Sequence, residues 1–260
     1  MTPAQDTGHN PAWPEVWAAL YDAMDVDRAP HLAFYTGLVT PGTHSLLDLG
    51  CGTGSITLAM AARMPAAARV TGVDLSPEMI RIARDRAPAH DWLVGDICDP
   101  PVSGHFDLIV VCFHTLQVLT DPADLDRCFA AVAGLLAPGG RFAFDIYRPN
   151  LGWLAAVPPG PHVARQFRDA TGRLIDVVES EARYDPATRV LSGLWHLRDA
   201  ATGQMLDVAP LEQRVMQYFP QDIAAAFARA GLVAEQSFGD LDRSPLTAAS
   251  KRQLYIARRA

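Results

Sequence analysis

The chain has 260 residues, 49% of them hydrophobic, and carries 22 Lys and Arg against 29 Asp and Glu for a formal net charge of −7. That length suits one large α/β domain, or one domain with a substantial insertion, around a sizeable core. The acidic balance argues against a nucleic-acid partner, which would need a basic stripe, and no apolar run is long enough to span a membrane.

In chain order, Met1 to Pro14 reads as a flexible tail with neither a basic n-region nor an apolar h-region, so a cytoplasmic protein is expected. Apolar residues at helical spacing predict helices over Trp13–Met24 and Pro30–Val39, which with the tail fill residues 1–44. Strands and helices then alternate through residues 45–150. Strand Ser45–Leu49 precedes helix Ser55–Arg63, and strand Arg69–Asp74 precedes helix Pro77–Arg86, with Ser76 as N-cap and Pro77 at the first helical position. Strands Trp92–Val94 and Phe106–Cys112, helix Pro122–Leu136 and strand Arg141–Ile146 follow. Such alternation predicts a mostly parallel sheet with right-handed crossovers.

Residues 151–220 break the pattern. From Val163 to Tyr218 apolar and polar residues alternate, interrupted by turn clusters near Asp169, Asp185 and Asp199, which predicts a four-stranded antiparallel meander. Inserted at the carboxyl edge of the sheet, it would lie over the ligand crevice as a lid; a homodimer surface or plain decoration of the fold is the alternative. Residues 221–260 return to α/β, with helix Gln221–Ala230 ended by Gly231 and strands Leu232–Ser237 and Leu254–Arg258. Cys51, Cys98, Cys112 and Cys128 show no Cys-x-x-Cys spacing and read as reduced, buried thiols. The histidines show no ligand spacing, so no metal site is expected.

The chemistry is concentrated where the first strand ends. Leu46-Leu47-Asp48-Leu49 runs into Gly50-Cys51-Gly52-Thr53-Gly54-Ser55, a strand breaking into a glycine-rich turn and then a helix. Glycines there admit left-handed backbone and let a ligand approach closely. A second apolar strand ends in Asp74, roughly twenty residues on, the spacing at which an acid reaches ribose hydroxyls in nucleotide-binding folds. Ser55 stands where a dinucleotide fingerprint has its third glycine, and Asp48 adds negative charge better suited to a sulfonium than to a pyrophosphate.

This stretch resembles motif I of the class I S-adenosylmethionine (SAM) methyltransferases. The likeness continues through Gly95-Asp96-Ile97, Phe106-Asp107-Leu108-Ile109-Val110 and Leu136-Ala137-Pro138-Gly139-Gly140-Arg141-Phe142, covering Leu46 to Asp145 in order. It implies a Rossmann-like seven-stranded sheet of order 3-2-1-4-5-7-6 with the last strand antiparallel, SAM as cofactor and S-adenosylhomocysteine as product. In that family's terms the turn Gly50–Gly54, with Cys51 and Thr53, cradles the methionyl part beside Asp48, and Asp74 binds the ribose. Leu75 and Met79 flank the adenine, while Asp96 and the Ile97 N–H hold its edge. After the fourth strand, where the family places substrate-facing groups, stands Cys112-Phe113-His114-Thr115-Leu116-Gln117. It lacks the Asn/Asp-Pro-Pro-aromatic of base-modifying relatives and the acids of metal-dependent catechol methyltransferases.

His114 is the candidate general base or substrate orienter, because imidazole titrates near neutral pH. Tyr21 resembles the tyrosine that faces the sulfonium in sugar and glycine N-methyltransferases, and Tyr35 is a second residue of that kind. Gln117 and, from the insertion, Arg165, Trp195, His196, Arg214 and Tyr218 are candidates to bind the acceptor. The layout is similar to bacterial amino-sugar and peptide N-methyltransferases, although those carry Asn or Ser at the position of His114. The expectation is metal-free, in-line methyl transfer to a small molecule, with an amine favoured over a hydroxyl or carbon. A non-catalytic SAM-binding regulator or subunit and an NAD(P)-dependent oxidoreductase stand as alternatives, the latter opposed by Ser55.

Overall fold

The apolar runs that the sequence places between glycine turns become the central strands of one sheet. In this computed structural model, which describes residues 14–24 and 27–260, seven strands are β1 Ser45–Leu49, β2 Arg69–Asp74, β3 Asp91–Val94, β4 Phe106–Val111, β5 Leu136–Tyr147, β10 Leu232–Phe238 and β11 Arg252–Arg259. Their order is β3-β2-β1-β4-β5-β11-β10. Strands β1 to β5 pair in parallel, and β11 lies antiparallel to both β5 and β10, the order the family resemblance implies once core strands alone are counted.

Alternation along β1 splits the core. Leu47 and Leu49 join an aromatic cluster with Phe129, Phe142, Phe144 and Phe227, whereas Leu46 joins Phe34, Tyr35, Ile56 and Met60 on the other face. The first cluster packs under helices α5 Pro122–Leu135 and α7 Pro220–Ala230, and the second under α2 Ala29–Thr36 and α3 Ser55–Ala61. Helix α1 Glu15–Met24 precedes these, and α4 Pro77–Arg86 follows β2. The Ser76 hydroxyl accepts from the Met79 N–H at the start of α4, and Asp121 accepts from the Ala123 N–H at the start of α5. Gly231 ends α7 at φ +67°.

Four further strands, β6 His162–Arg168, β7 Leu174–Asp185, β8 Val190–Asp199 and β9 Leu211–Met216, form a separate antiparallel sheet in sequence order. This meander packs its apolar face on α1: Trp17 and Met24 are buried with Phe167, Ile175, Val177, Leu197 and Leu211, and the Trp17 indole N–H donates to the Ala209 carbonyl at 3.0 Å. The first helix and the insertion are thereby one packed unit.

Most differences from expectation lie at element ends. Helix α3 stops at Ala61 and α2 at Thr36, while β5 starts five residues early at Leu136. A short 3-10 turn over Thr115–Val118 and helix α6 Leu151–Leu154 have no counterpart in the sequence reading. The predicted tail falls, up to residue 13, outside the described residues.

Candidate active site

The carboxyl ends of β1, β2, β4 and β5 open onto a cavity of about 1170 Å³, closed above by α1 and the meander. The glycine turn forms its floor. Gly50 has φ +75° and Gly52 φ +54°, both in the left-handed region. A Cβ on Gly50 would come within 2.3 Å of the Thr115 methyl carbon, and one on Gly52 would face Tyr21 at 3.7 Å. The turn is tied to β2 by Asp74, whose carboxylate accepts the Gly52 N–H at 2.8 Å and the Ser76 N–H at 2.9 Å. Burial raises the Asp74 pKa, and those two N–H donors oppose the rise. Each oxygen keeps a lone pair for a ribose hydroxyl.

Leu75, exposed at 43%, and Met79 line the cavity beside Asp74, with Asp96 and Ile97 beyond them. An apolar side chain left open next to a carboxylate and a glycine cradle fits an adenosine-bearing cofactor. Residues Tyr21, Gly50, Gly52, Asp74, Leu75, Met79, Asp96, Ile97, Phe113, His114, Gln117, Arg165 and Trp195, all singled out from sequence, line this one cavity.

Others do not line it. Asp48 faces α3, because alternation along β1 turns it to the face opposite Leu47 and Leu49; it accepts from the Thr57 hydroxyl at 2.6 Å and is buried. Burial, aided by the nearby Asp74 and opposed by Thr57, pushes its pKa up to about 7. Its charge therefore sits under the turn and not beside a sulfonium. Cys51 and Cys112 are buried thiols whose pKa is raised by burial, and neither they, Thr53 nor Gly54 reach the cavity. Thr53 and Ser55 instead hold α1: their hydroxyls meet Asp22 Oδ1 at 2.8 and 3.2 Å, and Arg28 joins the same oxygen at 2.6 Å. Ser55, at the third fingerprint-glycine position, is thus a latch for the first helix.

Among the acceptor candidates, Tyr35 is fully buried and donates to Asp145 Oδ1 at 2.5 Å. The Tyr218 hydroxyl donates to the Leu119 carbonyl at 2.6 Å, and His196 pairs with the Ser180 hydroxyl at 2.8 Å. Neither these nor Arg214 lines the cavity. Gln117 does, although both ends of its amide are engaged, by the Met216 carbonyl and the Tyr147 N–H.

His114 sits at φ +62°, after Phe113 at φ +55°, in a tight left-handed bend that turns its ring toward the end of β5. There it stacks on Tyr147 with centroids 3.6 Å apart. Its Nδ1 lies 3.2 Å from Asp145 Oδ2, and Arg252 Nη1 lies 2.8 Å from its Nε2. A guanidinium can only donate, so Nε2 is the accepting nitrogen and the ring proton belongs on Nδ1. Asp145 is fully buried. Burial would raise its pKa, yet His114, His31 and the Tyr35 hydroxyl overcome that and hold it at about 2.

Sequence reading missed this hub. His31 Nε2 faces Asp145 Oδ2 at 3.4 Å from α2, and its ring stacks on Phe113 at 4.1 Å. His31, His114 and Asp145 bring potential ligand atoms within 4.8 Å of one another, a grouping hidden by 83 residues of separation between the histidines. The Arg252 guanidinium, 3.7 Å from the same Asp145 oxygen, already supplies the counter-charge that a cation would. The available signal was Asp145 itself, the one acid in the apolar run Phe142-Ala143-Phe144-Asp145-Ile146-Tyr147.

The raised Asp48 pKa has a measurable consequence. The unfolded chain ionises this carboxyl near pH 4, but the folded chain does so only near pH 7, so the native state loses stability as pH rises between those values. Asp48→Asn should match wild type near pH 4 and exceed it by about 2–4 kcal/mol at pH 8 in denaturant unfolding. A stability difference independent of pH would contradict the assignment.

Comparison with known proteins agrees with the geometry. A family model described as a methyltransferase domain matches residues 46–140. A malonyl-[acyl-carrier protein] O-methyltransferase of Geobacter sulfurreducens is 43% identical over 140 residues, covering 50% of this chain and 49% of that protein. The chain spans about half to two-thirds of the length of the curated relatives it matches. Among solved structures, the SAM-bound amino pentose methyltransferase of Micromonospora echinaspora involved in calicheamicin biosynthesis superposes with a TM-score of 0.69 at 24% identity, covering 97% of this chain and 100% of that one. A sugar N-methyltransferase of Streptoalloteichus gives a TM-score of 0.72 at 23% identity, over 97% and 96% of the two chains. Residues 46–140 match a methyltransferase domain, and the whole chain shares the fold of SAM-dependent methyltransferases of known structure.

Proposed function

We propose that the protein methylates a small-molecule amine held in the cavity between the glycine turn and the meander. The observation carrying this reading is the Asp145–His114 pair at the cavity wall: a carboxylate held ionised beside an imidazole whose Nε2 is the accepting nitrogen. An imidazole is basic enough to take the proton that an amine sheds as it is methylated, and too weak to ionise an aliphatic hydroxyl in advance. Amine chemistry therefore fits the residues better than hydroxyl chemistry.

Bound SAM supplies an electrophilic methyl on a cationic sulfur, which the acceptor nitrogen takes in line as the thioether departs. The chain's task is then chiefly to position and to move one proton. Asp74 would accept from the ribose hydroxyls, Leu75 and Met79 would flank the adenine, and Asp96 with the Ile97 N–H would hold its edge. Tyr21, on the helix latched by Asp22, covers the turn, with the Arg28 guanidinium 5.3 Å from its ring centroid. Orientation in a closed site removes much of the entropy barrier of a bimolecular step. Trp195 and Arg165, contributed by the meander, form the acceptor's side of the wall, so the insertion acts as a lid that selects substrate.

A screen with methyl-labelled SAM against small amines, alcohols and carbon acids tests the reading. Label should appear in amines, with one S-adenosylhomocysteine formed per methyl transferred. Transfer confined to hydroxyl or carbon acceptors would overturn the amine assignment.

A further inference from the structure

The cavity is electrically lopsided. Asp27, Asp74 and Asp96 line its cofactor end, whereas Arg148, Arg165, Lys251 and Arg252 line the other end against Glu179 and Glu212. Glu179 is already engaged, accepting the Trp195 indole N–H at 3.3 Å and facing His162 Nε2 at 3.3 Å. Arg148 donates to the Ala248 carbonyl, and Arg165 lies over the Trp195 ring at 4.7 Å. Neither they nor Lys251 forms an ion pair with another described residue. Three lining cations thus lack carboxylate partners among the described residues, at one end of the cavity where their summed field favours an anion.

Arg252 is the cation nearest the chemistry. Its side chain is 19% exposed, rests over the Tyr147 ring at 5.1 Å, and reaches Asp240 Oδ1 through Nε at 3.2 Å. Its Nη1 donates to His114 Nε2, the atom that must receive the acceptor's proton. The base is therefore capped in this arrangement. Around the same mouth Tyr147, Leu151 and Trp153 line the cavity while about half exposed, which suits an apolar or aromatic body.

We infer that the acceptor is an anionic amine, and that its negative group draws Arg252 off His114 as it docks, uncapping the base only for substrates that carry the charge. The inference rests on His114 being the proton acceptor. A carboxylate or phosphate offers the guanidinium a bidentate, charged partner in place of one imidazole nitrogen, while Nε can keep Asp240. A neutral amine of the same shape gains no such contact and meets a base whose lone pair is occupied.

The test uses the full chain saturated with S-adenosylhomocysteine and titrated with benzoate, benzamide and phenyl phosphate. Benzoate should bind about tenfold or more tightly than benzamide, and in nitrogen-15 spectra the His114 Nε2 resonance should move downfield with the anions and not with benzamide, as an imidazole nitrogen does on losing a donor. Arg252→Gln should abolish most of the preference, with cooperative melting as the check on folding. Lys251→Gln, at an exposed position, should reduce the preference by a smaller factor. Phenyl phosphate binding more tightly than benzoate assigns the charge to a phosphate, and weaker binding assigns it to a carboxylate. Equal binding of benzoate and benzamide, or a preference unchanged in both variants, overturns the inference. Failure of S-adenosylhomocysteine itself to bind would overturn the cofactor reading as well, so the two failures are separable.

Discussion

Replacing His114 by alanine should slow methyl transfer about 10²–10⁴-fold, the range for loss of a general base, while SAM affinity stays close to wild type. The argument is positional. His114 follows β4 at the sheet's carboxyl edge, in the cavity, with Nδ1 3.2 Å from a buried carboxylate oxygen and Nε2 against Arg252. His114 holds a left-handed φ of +62°, a conformation that His, Asn and Asp adopt more readily than alanine. His114→Asn separates loss of the base from that backbone effect, since asparagine tolerates the conformation. Both variants should lose the fall in rate at low pH that protonation of the imidazole produces in wild type. If both are slower by less than about tenfold, His114 positions the acceptor and water removes the proton.

Asp145→Asn should be the most destabilising isosteric change in the site. The wild-type carboxylate sits at zero exposure and balances Arg252, with His31, His114 and Tyr35 around it. Removing one member of a buried charged set costs about 3–5 kcal/mol, the lower end applying here because Arg252 keeps Asp240. The pH dependence identifies the cause. A carboxyl whose folded pKa is held at about 2 contributes stability above the unfolded value near 4, and that contribution is lost as pH falls through about 2. The gap between wild type and Asp145→Asn in urea unfolding should therefore be full at pH 5 and narrow by about 2–3 kcal/mol toward pH 2. A gap that stays constant over that range would mean packing, and not charge, is what the variant disturbs.

These two residues also mark the limit of what the sequence could reveal. The glycine turn and Asp74 are legible because local rules govern them: left-handed backbone demands glycine, and the strand-end acid lies a fixed distance along the chain. Alternation of strands and helices similarly leads to a mostly parallel sheet, whose strand order comes from the family resemblance. The Asp145 hub obeys no local rule. His31 and His114 meet only because α2 folds across the ends of β4 and β5, a tertiary event that neither segment announces. Asp48 was misjudged for a different reason. Its proximity to the turn suggested contact with a sulfonium, whereas period-two alternation, already visible in Leu47 and Leu49, turns it toward α3. In the meander, alternation along β8 puts Trp195 and its neighbour His196 on opposite faces, and packing against α1 makes the Trp195 face the inner one, while His196 hydrogen-bonds Ser180.

Titration calorimetry with SAM, S-adenosylhomocysteine and NAD, on wild type and on Asp74→Ala, tests the central claim most directly. One SAM and one S-adenosylhomocysteine should bind per chain and NAD should not. Loss of the Asp74 carboxylate should weaken SAM by about 1.5–3 kcal/mol, the value of hydrogen bonds to a charged group. Binding of NAD without SAM, or an Asp74→Ala protein that folds and binds SAM as tightly as wild type, would contradict the account.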